Sequence, residues 1–291
     1  MNEDCILQPR ALGIEIAAIS ACDLRVGALS YLNTKPLIFG LQALAPSLRI
    51  TMAPPAELAR RLRAGELDVA IVPVLEYLTR RDYDLITESA ICGDGRIRSV
   101  LLFSRVPVEA IRSICLDPES MTSNALMRVL CRRRLGIQPA WRMRPPEADP
   151  ASILENSLCD AVLVIGNRAL ALSGRFPYER DLGQEWWHLT HLPFVFAVWA
   201  VRPGAATGDL PLVLRQSLEL GMTHLDLIAA NTAEALGLDR DLCTQYLRCM
   251  IRYNLTDRAL EGMARFYQYC TEMGLAAPVP LGAAPARPSS I

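Results

Sequence analysis

The sequence predicts an α/β protein in two lobes with a ligand cleft between them, and three observations predict it. Short apolar runs alternate with amphipathic stretches of helical period, the pattern of βα units that build parallel sheets. Two of the apolar runs, 99–103 and 194–200, bracket a middle block with its own βα pattern. Polar turns carrying hydroxyl and amide groups stand between strand and helix, where α/β sheets bind their ligands.

The elements follow in order. Residues 24–29 (Leu-Arg-Val-Gly-Ala-Leu) read as a strand, then comes the turn Ser30-Tyr31-Leu32-Asn33-Thr34-Lys35-Pro36, then an apolar helical stretch from Leu37 to Leu44. Pro54-Pro55 precedes a helix with Leu58 and Leu62 on one face, closed at Gly65, and Leu67 to Val72 is a fully apolar strand. Ser99 to Phe103 and Ile114 to Leu116 are buried strands. The second enters Pro118-Glu119-Ser120-Met121-Thr122-Ser123 and a helix to about Arg134. Ala161 to Ile165 is a strand ending in Gly166-Asn167-Arg168, and Phe194 to Val201 is the last strong strand. Amphipathic helices then cover roughly 208–235, 239–252 and 256–273. The runs 99–103 and 194–200 are expected to cross between lobes. Residues 24–103 with 198–276 then form the first lobe and 104–197 the second. Residues 1–23 are expected to be a flexible leader, and 277–291, rich in Pro, Ala and Ser, a disordered tail.

Composition narrows the function classes. The chain has 291 residues, of which 51% are hydrophobic, enough to bury a sizeable core. Its 30 basic and 31 acidic residues leave a formal charge of -1 and are spread along the sequence. Without a basic stripe to neutralise phosphates, nucleic acid is not an expected partner. No apolar run reaches the roughly 18–20 residues that span a bilayer, so a membrane is not expected either. The start carries Glu3 and Asp4, and Glu15 breaks its apolar stretch, which is unlike a secretory signal. The nine cysteines are odd in number and scattered, with no C-x-x-C pair and no Cys/His cluster. They read as reduced thiols of a cytoplasmic protein. With no Gly-rich phosphate loop, EF-hand loop or H-E-x-x-H string, neither a metal nor a nucleotide cofactor is expected. Lysine occurs once, at Lys35, so imine chemistry would depend on that residue.

The polar turns hold the candidate site. Ser30, Asn33 and Thr34 offer two hydroxyls and an amide at a helix start, a setting that suits an anion. Ordinary capping of that helix by Asn33 or Thr34 is the other reading. Thr122 and Ser123 pose the same choice. Arg98 and Ser99 follow the turn Gly93-Asp94-Gly95 onto a crossing strand, where an arginine can hold a carboxylate. His188, His191 and His224 show neither metal spacing nor a nucleophile partner and read as packed or surface residues. Trp186, Trp187, Phe194, Phe196 and Trp199 read as core and lobe-interface residues. These residues describe a small-anion binder in two lobes.

Particular strings say more. R-V-G-A-L-S-Y-L-N-T-K-P-L (25–37), A-G-E-L-D-V-A (64–70) and L-E-Y (75–77) come first. D-G-R-I-R-S-V-L-L-F-S (94–104), T-S-N-A-L (122–126), V-I-G-N-R-A-L (164–170) and D-L-G-Q-E-W-W-H-L-T-H-L-P-F-V-F-A-V-W-A (181–200) follow in that order. On these blocks the sequence resembles the chorismate dehydratases that open the futalosine route to menaquinone. The resemblance implies a two-lobed fold of the type II periplasmic-binding-protein kind. It also implies loss of water from chorismate to give 3-[(1-carboxyvinyl)oxy]benzoate, without a cofactor. The implied partner is that small-molecule substrate, and a homodimer is compatible with it.

The resemblance also implies roles. Asn33, with Ser30 beside it, is the catalytic choice, touching the reacting C3/C4 region by hydrogen bonding. Thr34 and Asn167 are substrate-binding choices, Thr122 and Ser123 are assigned to one carboxylate, and Arg98 or Ser99 lies near the other. The proton goes either to the substrate's own enolpyruvyl carboxylate or to a carboxylate of the protein. The sequence departs from the family pattern at Asn167, where Asp is usual, at His191, where Gly is usual, and at Val74, where a small polar residue is common. Asn167 cannot titrate as a base, which bears on any proton-transfer role at that position. Two other readings stay open: a solute-binding protein of the same fold, and the lyase acting on cyclic dehypoxanthine futalosine later in that route. The run Ser-Tyr-Leu-Asn-Thr favours the dehydratase over the lyase.

Overall fold

The computed structural model describes residues 23–80 and 82–277. The expected leader and tail therefore lie outside the described residues, apart from Asp23 and Ala277. In chain order the first elements are β1 (Arg25–Ala28), α1 (Lys35–Ile38), α2 (Leu41–Leu44), β2 (Arg49–Met52), α3 (Pro55–Arg63), β3 (Val69–Pro73), α4 (Val74–Thr79) and β4 (Asp84–Gly93). A second group holds β5 (Val100–Ser104), β6 (Ser113–Leu116), α5 (Met121–Leu130), β7 (Ala140–Met143), α6 (Pro150–Glu155), β8 (Ala161–Ile165), α7 (Gly166–Leu172) and β9 (Tyr178–Asp181). The chain ends with α8 (Leu182–Thr190), β10 (Phe194–Val201), α9 (Leu210–Thr223), α10 (Leu225–Leu236), α11 (Arg240–Gln245), β11 (Ile251–Arg252) and α12 (Asp257–Glu272).

These strands form two sheets, and the molecule is two-lobed accordingly. One runs β11-β4-β10-β3-β1-β2 and the other β7-β6-β8-β5-β9. The apolar strands β3 and β8 are buried along their whole length, as β-branched runs covered on both faces must be. Neither sheet is all-parallel. β1 pairs in parallel with β2 and β3, and β6 with β7 and β8. β10 and β5, each the first strand after the chain changes sheets, run antiparallel to their neighbours. The run at 99–103, placed in the first lobe from sequence, is thus paired within the second sheet. The turn before it and the segment around α8 carry the chain across.

Several local differences have plain causes. The expected helix over 37–44 is two short ones, because Gly40 sits between them at φ 75°, a left-handed conformation that glycine adopts without a Cβ clash. The expected helix over 208–235 breaks at His224 into α9 and α10. That over 239–252 ends in a π turn, Tyr246–Met250, and then in strand β11. Strand β4 escaped the sequence pattern because Asp84, Thr87, Glu88 and Ser89 interrupt its apolar residues.

The C-terminal helices join the halves. Helix α12 packs on β10 of the first sheet and on α5 beside the second. Its Phe266 meets Trp186 and Phe194 edge-on, with ring centroids 6.1 and 4.9 Å apart. Asp181, at the end of β9, accepts the backbone N–H groups of Ile97 at 2.9 Å and Arg98 at 2.6 Å. It also caps α8 through the N–H of Gln184 at 3.1 Å. One carboxylate thus ties both crossing segments together.

Candidate active site

The carboxyl ends of the parallel strands β1, β3, β6 and β8 converge on one cavity between the sheets. The space it leaves for water-sized molecules is about 60 Å³, well below the roughly 300–1,000 Å³ of small-molecule sites. Ile91, Val100, Ile165 and Phe196 give it apolar walls, and Tyr31, Asn33, Ser99, Ser120, Thr122 and Ser123 supply the polar groups.

Of the residues singled out from sequence, the fold brings Asn33, Ser99, Thr122 and Ser123 onto this lining. Neither Asn33 nor Thr34 caps the helix that follows. Thr34 is fully buried, and its hydroxyl donates to Asn33 Oδ1 at 3.4 Å, steadying the amide from behind. At the second turn, Ser120 caps α5 by accepting the N–H of Ser123 at 3.2 Å. That leaves the Thr122 hydroxyl to accept the N–H of Leu75 at 3.2 Å, from α4 on the other side of the cleft. No acidic residue occupies the first turn of α5, although Glu119 stands directly before its cap Ser120.

The remaining choices sit elsewhere. Ser30 is half-buried and is not part of the cavity wall. Arg98 has φ 58°, and its guanidinium donates to Ser173 Oγ at 3.2 Å while lining a separate, open depression beside α11. Asn167 lies behind the cavity, where its Oδ1 accepts the N–H of Leu32 at 3.0 Å. It braces the turn that carries Asn33. Its neighbour Gly166 has φ 65°, and a Cβ there would meet the Tyr31 ring at 3.0 Å, so glycine lets that ring into the site.

Residues not singled out as site residues complete the site. Tyr31 lies inside the Ser-Tyr-Leu-Asn-Thr motif, which was a usable signal. Burial, foremost, and the neighbouring Glu119 and Asp117 push its hydroxyl well above the usual phenol range. Its hydroxyl donates to Glu119 Oε2 at 3.2 Å. Tyr246, in the π turn, is fully buried with its hydroxyl in hydrogen-bonding reach of Ser99 and Asn33, and burial raises its pKa too. Nothing local marks Tyr246, because only the fold brings it to residues so far away in sequence. Below the β6–α5 loop, Asp117 and Arg144 form a buried ion pair at 3.0 Å. Among the described residues no cluster of His, Cys, Asp or Glu could hold a metal ion, and no helix is long and apolar enough to cross a membrane.

The likeness to known proteins agrees with this geometry. An Archaeoglobus fulgidus protein of known structure superposes with a TM-score of 0.72 at 16% identity, covering 87% of this chain and 98% of its own. The periplasmic aliphatic sulphonate binding protein of Escherichia coli superposes with a TM-score of 0.63 at 15% identity, covering 90% and 95%. The fold is therefore of the periplasmic-binding-protein kind. A chorismate dehydratase of Thermus thermophilus is 32% identical over 260 residues, 83% of this chain and 93% of that one. A chorismate dehydratase of Campylobacter jejuni is 26% identical over 247 residues, 84% and 93% of the two chains. Residues 24–272 match the family described as menaquinone biosynthesis, and with that match over most of its length the chain belongs to this family.

Proposed function

We propose that this protein is a chorismate dehydratase, a hydro-lyase that removes water from chorismate to give 3-[(1-carboxyvinyl)oxy]benzoate in menaquinone biosynthesis. One observation carries the reading: Asn33, Ser99, Thr122 and Ser123 face one cavity between the sheets, in a chain aligned with curated dehydratases over most of its length. Chorismate carries two carboxylates. Thr122 and Ser123, at the positive end of α5, are assigned to one and Ser99 to the other. Asn33 touches the C3/C4 region as a neutral donor and acceptor. It is held by Thr34 and Tyr246 and braced through Leu32 by Asn167. The ring becomes aromatic as water leaves, so the protein has only to orient the substrate, move a proton and exclude solvent. The two lobes are taken to close over the substrate for that purpose. A reducing, cytoplasmic setting fits the unpaired cysteines Cys92, Cys115, Cys131, Cys159, Cys243, Cys249 and Cys270.

The test is incubation of purified protein with chorismate, following by chromatography and mass an aromatic product lighter by one water. Formation faster than spontaneous decay supports the dehydratase. Thermal stabilisation by chorismate without turnover would favour a solute-binding role, which the fold likeness permits. Turnover of cyclic dehypoxanthine futalosine but not of chorismate would favour the lyase.

A further inference from the structure

Asn33 and Ser99 face the cavity, yet neither fixes its own orientation: a serine hydroxyl rotates, and an amide can present either its oxygen or its nitrogen. What they present decides which ligand they hold, because a carboxylate accepts hydrogen bonds and offers none. Tyr246 stands behind both. It is 1% exposed, it opens the π turn Tyr246–Met250, and its hydroxyl lies in hydrogen-bonding reach of both side chains. Such turns recur at functional sites. The three residues come from separate segments: Asn33 from the turn after β1, Ser99 from the crossing before β5, and Tyr246 from the end of α11. Ser99 is fixed at its backbone, where its carbonyl accepts the N–H of Gly166 at 2.7 Å. The nearby hydroxyl of Tyr253, also buried, makes no hydrogen bond among the described residues and so does not claim the Tyr246 proton.

A phenol has one proton to give. The Thr34 hydroxyl donates to Asn33 Oδ1 at 3.4 Å, which leaves the Asn33 amide nitrogen, a donor, for the Tyr246 oxygen. The Tyr246 proton then falls to Ser99 Oγ. Resting on the dehydratase reading, we propose that Tyr246 is a positioning residue that sets the hydrogen-bond polarity of the site. It accepts Asn33 Nδ2–H and donates to Ser99 Oγ, so that both side chains turn a donor toward the cavity. In the opposite polarity Ser99 donates to Tyr246 and turns its lone pairs to the cavity, where they repel a carboxylate. With the Tyr246 proton directed at Ser99, the Ser99 hydroxyl hydrogen is free for the substrate carboxylate. The second Asn33 N–H is free for the C3/C4 region. Burial keeps the Tyr246 phenol protonated, so this polarity persists near neutral pH. The Ser99 side of the site is thereby selective for a carboxylate over a carboxamide of the same shape, whose own N–H groups would meet a donor.

The test uses the full chain, with chorismate for kinetics and calorimetric binding of 3-[(1-carboxyvinyl)oxy]benzoate and its two monocarboxamides. Ser99→Ala identifies the carboxylate that Ser99 holds, as the one whose replacement by carboxamide no longer matters in that variant. In the wild-type chain that carboxamide should bind about tenfold or more weakly than the dicarboxylate. Tyr246→Phe keeps the buried ring, and its native thermal transition is checked first. It should narrow the discrimination to about two- or threefold and lower kcat/KM on chorismate about tenfold. Combined with Ser99→Ala it should be no slower than the worse single variant, because one hydroxyl acts through the other. A ring that only packs would lower the thermal transition, leave the discrimination intact and add its kinetic effect to that of Ser99→Ala. That result overturns the proposal and leaves the dehydratase standing. So does a wild-type chain that turns over chorismate but binds both monocarboxamides as well as the dicarboxylate, a result that needs no Tyr246 variant. No turnover of chorismate by the wild-type chain overturns the dehydratase reading and the proposal with it.

Discussion

Asn167 shows how a single residue can look like a defect in sequence and be sound in structure. The family resemblance places an aspartate there, and an amide cannot carry a proton. Its observed task is to accept the N–H of Leu32 through Oδ1, which an amide and a carboxylate perform alike. Asn167→Asp is therefore expected to leave kcat and KM within a few-fold of the parent. Asn167→Ala removes the acceptor, loosens the turn carrying Asn33, and should raise KM in steady-state kinetics by about fivefold, the loss of one ordinary hydrogen bond of roughly 1 kcal/mol. His191 is a second such case. It closes α8 at φ 56°, a left-handed position that suits the glycine usual in the family. Its ring meets Trp187 edge-on at 5.0 Å, and the carbonyl accepts Arg258, so the strain is offset by contacts a glycine would in part forgo.

At the scale of elements, the loop from β6 into α5 depends on one buried ion pair. Arg144 is 1% exposed and Asp117 2%. Arg144 also donates to the carbonyl of Ala148 at 2.7 Å, while its Nε has no partner among the protein atoms. Asp117 in turn accepts the N–H of Glu119, and Asn124 donates to its carbonyl at 2.7 Å. Arg144→Met would leave a carboxylate buried without its counter-charge, at a cost of about 3–5 kcal/mol in urea denaturation. Replacing both partners, as Asp117→Leu with Arg144→Met, should recover much of that stability, because the desolvation penalty of both charges disappears. The double variant should still be slow on chorismate, since Asp117 also holds the loop that carries Thr122 and Ser123 to the cavity. That split between stability and rate separates a structural role from a positioning one.

For the whole molecule, hydrogen bonds across the cleft and buried carboxylates govern stability and its dependence on pH. Tyr31 to Glu119, Leu32 to Asn167 and Leu75 to Thr122 each join the two sides. Asp68 is held well below the usual carboxylate range, first by the hydrogen bond from the Arg25 side chain and then by the Arg25 backbone and Arg202, against the opposing effect of burial. Its contribution is present above the unfolded value of about 4 and is lost as pH falls below it. Glu76 and Asp181 are shifted the other way, chiefly by burial. Their ionised forms are unfavourable in the folded state, so that penalty shrinks as pH falls from neutrality toward about 4. Stability measured by urea denaturation should therefore peak in mildly acidic solution. Asp68→Asn should flatten the acid limb below about pH 4, and Glu76→Gln should flatten the decline toward neutrality. An unchanged pH curve in both variants would contradict these assignments.

By itself the sequence determined the apolar strands β1, β3, β5, β6, β8 and β10, the helices α3, α5 and α12, and the motifs bearing Asn33, Ser99, Thr122 and Ser123. These are local patterns, because side-chain period records which face of a strand or helix is buried. Tertiary structure alone decided that β5 pairs in the second sheet and that β4, broken by polar residues, is a long strand of the first. It turned Arg98 away from the cavity and Asn167 behind it, and it brought Tyr246 against Asn33 and Glu119 against Tyr31. Those outcomes depend on which segments pair and on where side chains point once packed. Contacts between residues remote in sequence set both, and no local period encodes them.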